Sequence, residues 1–147
     1  MKKIPVGIIG VGGYTGLELL KILLSHPYFE LAYLGNSAGV ASADELYPAL
    51  RGLLDMQVLA SDPKEVAKRC ELVFLALPHK SAMEFAKELL SLGVKVVDLS
   101  ADYRLDLQNY EANYCPHTDI DNLSHAIYGL PEYQKEDIAK ASLVANP

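Results

Sequence analysis

Near the start of the chain, the apolar run Pro5-Val-Gly-Ile-Ile-Gly10 stops at a glycine-rich turn, Gly10-Val-Gly12-Gly13-Tyr14-Thr15-Gly16. A short run that is apolar at every position suits a strand buried on both faces of a parallel sheet. Directly behind the turn, Leu17, Leu20 and Leu24, with Ile22 and Leu23, recur at helical spacing until Pro27 ends the pattern. Leu31-Ala-Tyr-Leu34 then reads as a second strand that closes at Gly35-Asn36-Ser37-Ala38-Gly39. Strand, glycine turn, helix and strand within about 30 residues make a βαβ unit. In that place glycine permits the tight turn and lets backbone N–H groups approach a pyrophosphate, while the helix N-terminus adds partial positive charge. The expectation is a dinucleotide site on Gly10, Gly12, Gly13, Tyr14, Thr15 and Gly16, with a purely structural glycine turn as the alternative. The spacing is nonstandard, since the usual third glycine falls on Thr15 and the glycines read better as Gly10, Gly13 and Gly16.

The alternation continues. The segment from Val40 to Gln57 has weak periodicity and reads as a long, partly helical connection containing Tyr47-Pro48. Val58-Leu59 is expected as a short strand, and Asp62-Pro63-Lys64-Glu65 as a helix start in which Asp62 caps and Glu65 completes a capping box. Leu72 to Ala76 is another buried strand, followed by Leu77-Pro78-His79 and a helix with Ala82, Phe85, Ala86, Leu89 and Leu90 on its apolar face, stopped by Gly93. Val94 to Leu99 returns to strand. From Ser100 the chain reads as loop-rich, punctuated by Tyr103, Tyr110, Tyr114 and Tyr128, until a helix near Gln134 to Ala139 and a last strand, Leu143-Val-Ala145. The fold class that follows is α/β, a doubly wound, mainly parallel sheet of the Rossmann-like dinucleotide-binding kind. Because Asn146-Pro147 comes straight after a strand, the expected domain spans residues 1–147 as a cofactor-binding part without a following catalytic and substrate domain.

Composition narrows the functions such a sheet could serve. With 147 residues, 50% of them hydrophobic, the chain can build one real core. A net charge of −6 supplies no basic field for phosphodiester backbones or anionic lipid, so neither nucleic acid nor a membrane is an expected partner. Pro5, Gly7 and Gly10 interrupt the N-terminal apolar run, which argues against a signal peptide and for a cytoplasmic protein. Two cysteines without a CxxC pair make a disulfide framework or a metal site an unsuitable reading.

Several side chains stand at strand ends, where open α/β sheets bind ligands. At the end of the second strand an NAD site would place Asp or Glu; here Gly35-Asn36-Ser37 offers no carboxylate, and Ser37 can donate to a 2′-phosphate. NADP is therefore favoured over NAD, against the alternative of an ordinary Asn-Ser turn. Pro78 and His79 fall on the cofactor side, His79 toward a nicotinamide edge unless it is a solvated loop histidine. In Asp98-Leu-Ser100-Ala-Asp102-Tyr-Arg104, Arg104 offers a planar fork for phosphate or carboxylate, and Ser100 and Asp102 would fix the loop; a structural Asp102–Arg104 network is the alternative. Cys115-Pro116-His117 lacks a third orienting group and is not read as a nucleophile, and Cys70 is read as packing.

Taken together, Gly13-Tyr14-Thr15-Gly16 with Glu18-Leu19, Ala76 to His79, Asp98 to Leu105, Tyr128-Gly-Leu-Pro-Glu132 and Leu143 to Pro147 resemble the N-acetyl-gamma-glutamyl-phosphate reductase family over nearly the whole chain. The resemblance implies an NADP-dependent enzyme of arginine biosynthesis that reduces a small-molecule acyl phosphate, N-acetyl-glutamyl 5-phosphate, to its semialdehyde. It implies a cysteine thiolate that displaces phosphate, a thioester reduced by hydride, a histidine acid/base and a phosphate-binding arginine. Arg104 matches that arginine, and Asn146 stands just ahead of the nucleophile, which in the family is the second residue beyond Pro147. No catalytic residue is thus expected within these residues, which alone would turn over no acyl phosphate. A homo-oligomer is expected of the longer protein. One departure is Gly35-Asn36-Ser37, where the family often carries an arginine beside the serine. The other readings are a reductase of aminoadipyl phosphate, an aspartate-semialdehyde dehydrogenase, and a freestanding nucleotide-binding module.

Overall fold

A computed structural model describes residues 2–39 and 42–147. Its elements run β1 (Ile4–Ile9), α1 (Tyr14–Leu24), β2 (Phe29–Asn36), α2 (Ala43–Leu46), a 3₁₀ turn at Pro48–Leu50, β3 (Val58–Ala60), α3 (Pro63–Arg69) and β4 (Leu72–Leu75). They continue with α4 (Ser81–Ser91), β5 (Lys95–Asp98), α5 (Leu107–Asn113), α6 (Ile120–Leu123), β6 (Ile127–Tyr128), α7 (Pro131–Lys140) and β7 (Leu143–Ala145). The strands form one seven-stranded sheet in the order β3-β2-β1-β4-β5-β7-β6. Every neighbouring pair is parallel, as expected for strands joined by helical crossovers. Winding starts at β1, runs out to β3 and then reverses through β4, so the switch point lies between β1 and β4.

Alternation along each strand divides the core in two. From β1, Val6 and Ile8 pack with Leu20 and Leu23 of α1 and with Leu34 and Val58. On the opposite face Ile9 joins Val73 and Leu75 of β4, Val96, Leu143, and Met83, Ala86 and Leu89 of α4. Ile22, expected on the buried stripe of α1, is 59% exposed. Two residues of helix turn it about 200° from Leu20, onto the solvent side.

The connection read as partly helical does contain α2 and a 3₁₀ turn; Val40 and Ala41 within it lie outside the described residues. Asp62 caps α3 as expected, its carboxylate accepting the Lys64 N–H at 2.9 Å. Glu65 does not complete the box. Its carboxylate turns instead to Lys68 and Arg69 along the helix, a pairing at i+3 and i+4 that competes with reaching back to the cap. The stretch after Ser100 is more ordered than its sequence reads, since it holds α5, α6 and β6. Asp106 starts α5 by accepting the Asn109 N–H at 3.0 Å, and the phenol rings of Tyr103 and Tyr110 are buried.

One surface is left bare. Phe74, Val97 and Val144 point from β4, β5 and β7 into an apolar groove of about 720 Å³ that also reaches Phe29 and Ile138. Helix α1 covers β1 and β2, and no described helix covers this part of the same face. Among the described residues no helix is long and apolar enough to cross a membrane.

Candidate functional site: a dinucleotide cleft at the switch point

The turn after β1 is built by two glycines that have no alternative. Gly10 has φ +87°, and a Cβ there would stand 2.2 Å from the Ala76 carbonyl oxygen of the β4 loop. At Gly16 a Cβ would meet the Gly10 and Val11 carbonyls at 2.7 Å, because the first turn of α1 lies directly on the turn that precedes it. Gly12 and Gly13 differ. A Cβ at Gly12 meets nothing within 4 Å, and one at Gly13 only the Gly10 carbonyl at 3.8 Å. Their lack of side chains therefore serves open space in front of the helix rather than packing.

Helix α1 begins at N-cap Gly13, and no side chain caps it. Its first-turn amides are thus offered outward. Tyr14 is 94% exposed. The turn is braced from outside by Tyr47, whose hydroxyl lies 2.8 Å from the Val11 carbonyl and 3.1 Å from that of Gly13. Partial burial raises the Tyr47 pKa, so the phenol stays a donor. No periodic signal in the 40–57 connection marks this residue.

In front of these amides lies a cleft of about 650 Å³ between the glycine turn and the loop after β4. Gly10, Gly12 and Gly13 form one wall, Leu77, Pro78 and Phe85 the other, and Asn36, Ser37 and Ser61 one end. No charged side chain is among its lining residues. An anion there would be met by backbone amides and the α1 dipole alone. At the closed end Asn36 is spent on the fold: its side-chain oxygen accepts the Ala38 and Gly39 amides, and its carbonyl accepts from Ser61. The Ser37 side chain stays exposed.

Pro78 lines this cleft, whereas His79 does not. The His79 ring sits edge-on to Tyr114, 5.0 Å between centroids, and its Nδ1 accepts the Ala101 N–H at 3.4 Å. Arg104 is also committed. Its Nε donates to the Asn146 carbonyl and its Nη2 to the Leu99 carbonyl, each at 2.8 Å. The expected alternative, an Asp102–Arg104 network, is not formed, because those two carbonyls at the sheet's edge take the guanidinium first. With Ala101, Leu105, Tyr114 and Tyr128, Arg104 lines a second hollow of about 400 Å³ beside Asn146.

Beneath this hollow the Asp98–Arg104 loop is fixed by buried polar groups. Asp98 accepts both the Ser100 N–H and the Ser100 hydroxyl, and Ser100 Oγ in turn accepts the Asp102 N–H. Asp98 is fully buried, and burial, countered by its Ser100 hydrogen bonds, holds its pKa above the usual carboxylate range. Its protonated form thus favours folding below about pH 3.8, and that contribution is lost as pH rises through the raised folded value. Asp98→Asn should therefore gain stability relative to the parent as pH climbs from 4 to 7, read as unfolding midpoints in urea; a pH-independent difference would contradict this.

In the Cys115-Pro116-His117 segment, Cys115 Sγ lies 3.5 Å from the Tyr110 hydroxyl. His117 is held by two backbone bonds, Nε2 with the Asp102 carbonyl at 2.8 Å and Nδ1 with the Asp119 N–H at 3.0 Å. Burial raises the Cys70 thiol to about 11, which leaves it inert.

Residues 5–141 match the family model described as semialdehyde dehydrogenase, NAD binding domain. The chain belongs to this family. Within the semialdehyde dehydrogenase family, similar sequences named N-acetyl-gamma-glutamyl-phosphate reductase come from Wolinella succinogenes, 67% identical over 147 residues, and Campylobacter curvus, 61% identical. Each match covers 100% of this chain and 44% of the relative, so the chain spans less than half the length of the curated relatives it matches. Among solved structures, aspartate semialdehyde dehydrogenase with NADP from Candida albicans superposes with a TM-score of 0.69 at 19% identity, over 99% of this chain and 42% of that one. Aspartate semialdehyde dehydrogenase II from Vibrio cholerae, complexed with ASA, gives 0.64 at 17% identity, over 99% of this chain and 42% of that one. These likenesses show the shared fold.

Proposed function

We propose that the chain is the cofactor-binding part, residues 1–147, of an NADP-dependent N-acetyl-gamma-glutamyl-phosphate reductase of arginine biosynthesis, which converts N-acetyl-glutamyl 5-phosphate to the 5-semialdehyde. The observation that carries this is 67% identity along the full chain to a protein of that name, together with an uncharged cleft at the switch point. NADP, when bound, supplies the hydride. The amides of Gly12, Tyr14, Thr15 and Gly16 hold the pyrophosphate against the α1 N-terminus, the Gly13 amide being taken by the Gly10 carbonyl, and Pro78 with Leu77 walls the nicotinamide half. With no carboxylate after β2, nothing repels a 2′-phosphate, and the exposed Ser37 hydroxyl can donate to it.

The second hollow is the substrate's side. Arg104 keeps Nη1 free of the two carbonyl bonds, which leaves one edge of the fork for the acyl phosphate. It also fixes Asn146, after which the nucleophilic cysteine and the substrate domain follow in a longer protein. Such a following segment would cover the groove over Phe74, Val97 and Val144. The protein works in the cytoplasm as a homo-oligomer, on a small molecule and without nucleic acid.

The test is a comparison of two lengths. A protein extended to the relatives' full length should reduce NADP when given N-acetyl-glutamate semialdehyde and phosphate, and the 147-residue chain should not. Turnover by the shorter chain would contradict the assignment of the chemistry to later residues. A milder variant probes the cradle itself: Tyr47→Phe should weaken NADPH binding about threefold to tenfold while costing only about 1 kcal/mol of stability. Calorimetry and urea unfolding read the two effects separately, and an unchanged affinity would remove Tyr47 from the cradle.

A further inference from the structure

One carboxylate joins the two hollows. Asp102 is fully buried on the loop that carries Arg104, yet its Oδ2 accepts the N–H groups of Lys80 at 3.0 Å and Met83 at 3.1 Å, across the sheet edge at the start of α4. Its Oδ1 accepts the Tyr110 hydroxyl at 2.8 Å. Helix α4 has no cap of its own, because its N-cap is Lys80, which holds φ +71° and ψ −52° and makes no side-chain cap bond. Lys80 is the one residue other than glycine with positive φ among the described residues. Such a γ-turn-like conformation is strained and persists only where surroundings impose it. The Lys80 side chain is exposed and supplies no packing reason. The imposed conformation has a direct consequence, since Leu77, Pro78 and Ser81 on either side of Lys80 all line the cleft.

We propose that Asp102 is a positioning residue that caps α4 from the neighbouring loop, holds Lys80 at positive φ and so sets the Leu77–Ser81 wall of the cofactor cleft in register with the Arg104 hollow. This rests on the reading of that cleft as a dinucleotide site. Asparagine at 102 keeps one acceptor oxygen where the carboxylate has two, so with that oxygen on the α4 amides it meets the Tyr110 hydroxyl with a donor instead of an acceptor. The amides are held by charge-assisted bonds that a neutral side chain weakens.

The test uses NADPH binding by calorimetry, and it turns on position 80. Lys80→Gly and Lys80→Val both remove the same exposed ammonium, but only glycine adopts positive φ freely. The valine variant should bind NADPH about tenfold more weakly than the glycine variant. In a second arm, Asp102→Asn should lower affinity about tenfold, and adding Lys80→Gly should restore at least about threefold of it, a non-additive cycle that general destabilisation does not produce. Where Asp102→Asn does not fold, the position-80 pair decides alone. Valine and glycine variants within twofold of each other, or an additive cycle, overturn the proposal while the parent still binds NADPH. A parent chain that fails to bind NADPH overturns the dinucleotide reading and this proposal with it.

Discussion

Replacing Gly10 with alanine should cost about 4 kcal/mol or more and leave much of the chain unfolded, whereas alanine at Gly12, two residues away, should fold normally and lose cofactor. The difference follows from geometry. Gly10 sits at φ +87°, where a side chain is strained by about 1–3 kcal/mol. Its Cβ would also stand 2.2 Å from the backbone oxygen of Ala76, which cannot step aside because the Ala76 amide is tied to the Ile9 carbonyl. At Gly12 a methyl group enters empty space, the same space a pyrophosphate would use. Thermal unfolding of both variants beside NADPH titration separates the roles. Equal stability of the two would mean that the turn is more plastic than these contacts allow.

Arg104→Met should cost about 2–3 kcal/mol, a large effect for a half-buried surface arginine. Two charge-assisted bonds to the Asn146 and Leu99 carbonyls disappear, and methionine replaces the stem but neither donor. The same guanidinium lowers the pKa of buried Asp98, so its removal pushes that carboxyl higher and steepens the loss of stability between acid and neutral pH. Hydrogen exchange should locate the damage at the end of β7, where the Asn146 amide donates to the Asp98 carbonyl. A stability change below about 0.5 kcal/mol would show that the fork is free for ligand rather than bound to the backbone.

The glycine turn, the β1–α1–β2 unit and the parallel alternation to β5 were readable because each rests on local periodicity and on glycines with a steric task. That Pro78 lines a cleft follows from its place at a strand end beside the switch point. What escaped depends on partners distant in sequence. Asp102 caps a helix that starts 21 residues before it, and nothing near either residue announces the pairing. For Arg104 the sequence offers only a planar fork, and the Asn146 and Leu99 carbonyls that take its Nε and Nη2 are not visible in it. Helices of seven and four residues, α5 and α6, are too short for an apolar stripe to show. Tyr103 and Tyr110 read as loop markers because sequence does not reveal that Asp119 and Asp102 accept their hydroxyls.

On the proposed function, this chain holds NADP through backbone amides in an uncharged cleft. Calorimetric titration of the chain with NADPH and NADH, repeated with Gly12→Ala, tests it most directly. The expected result is saturable binding of one dinucleotide per chain, tighter for NADPH and weakened by the added methyl group. Failure of both dinucleotides to bind, or binding indifferent to Gly12→Ala, would contradict it.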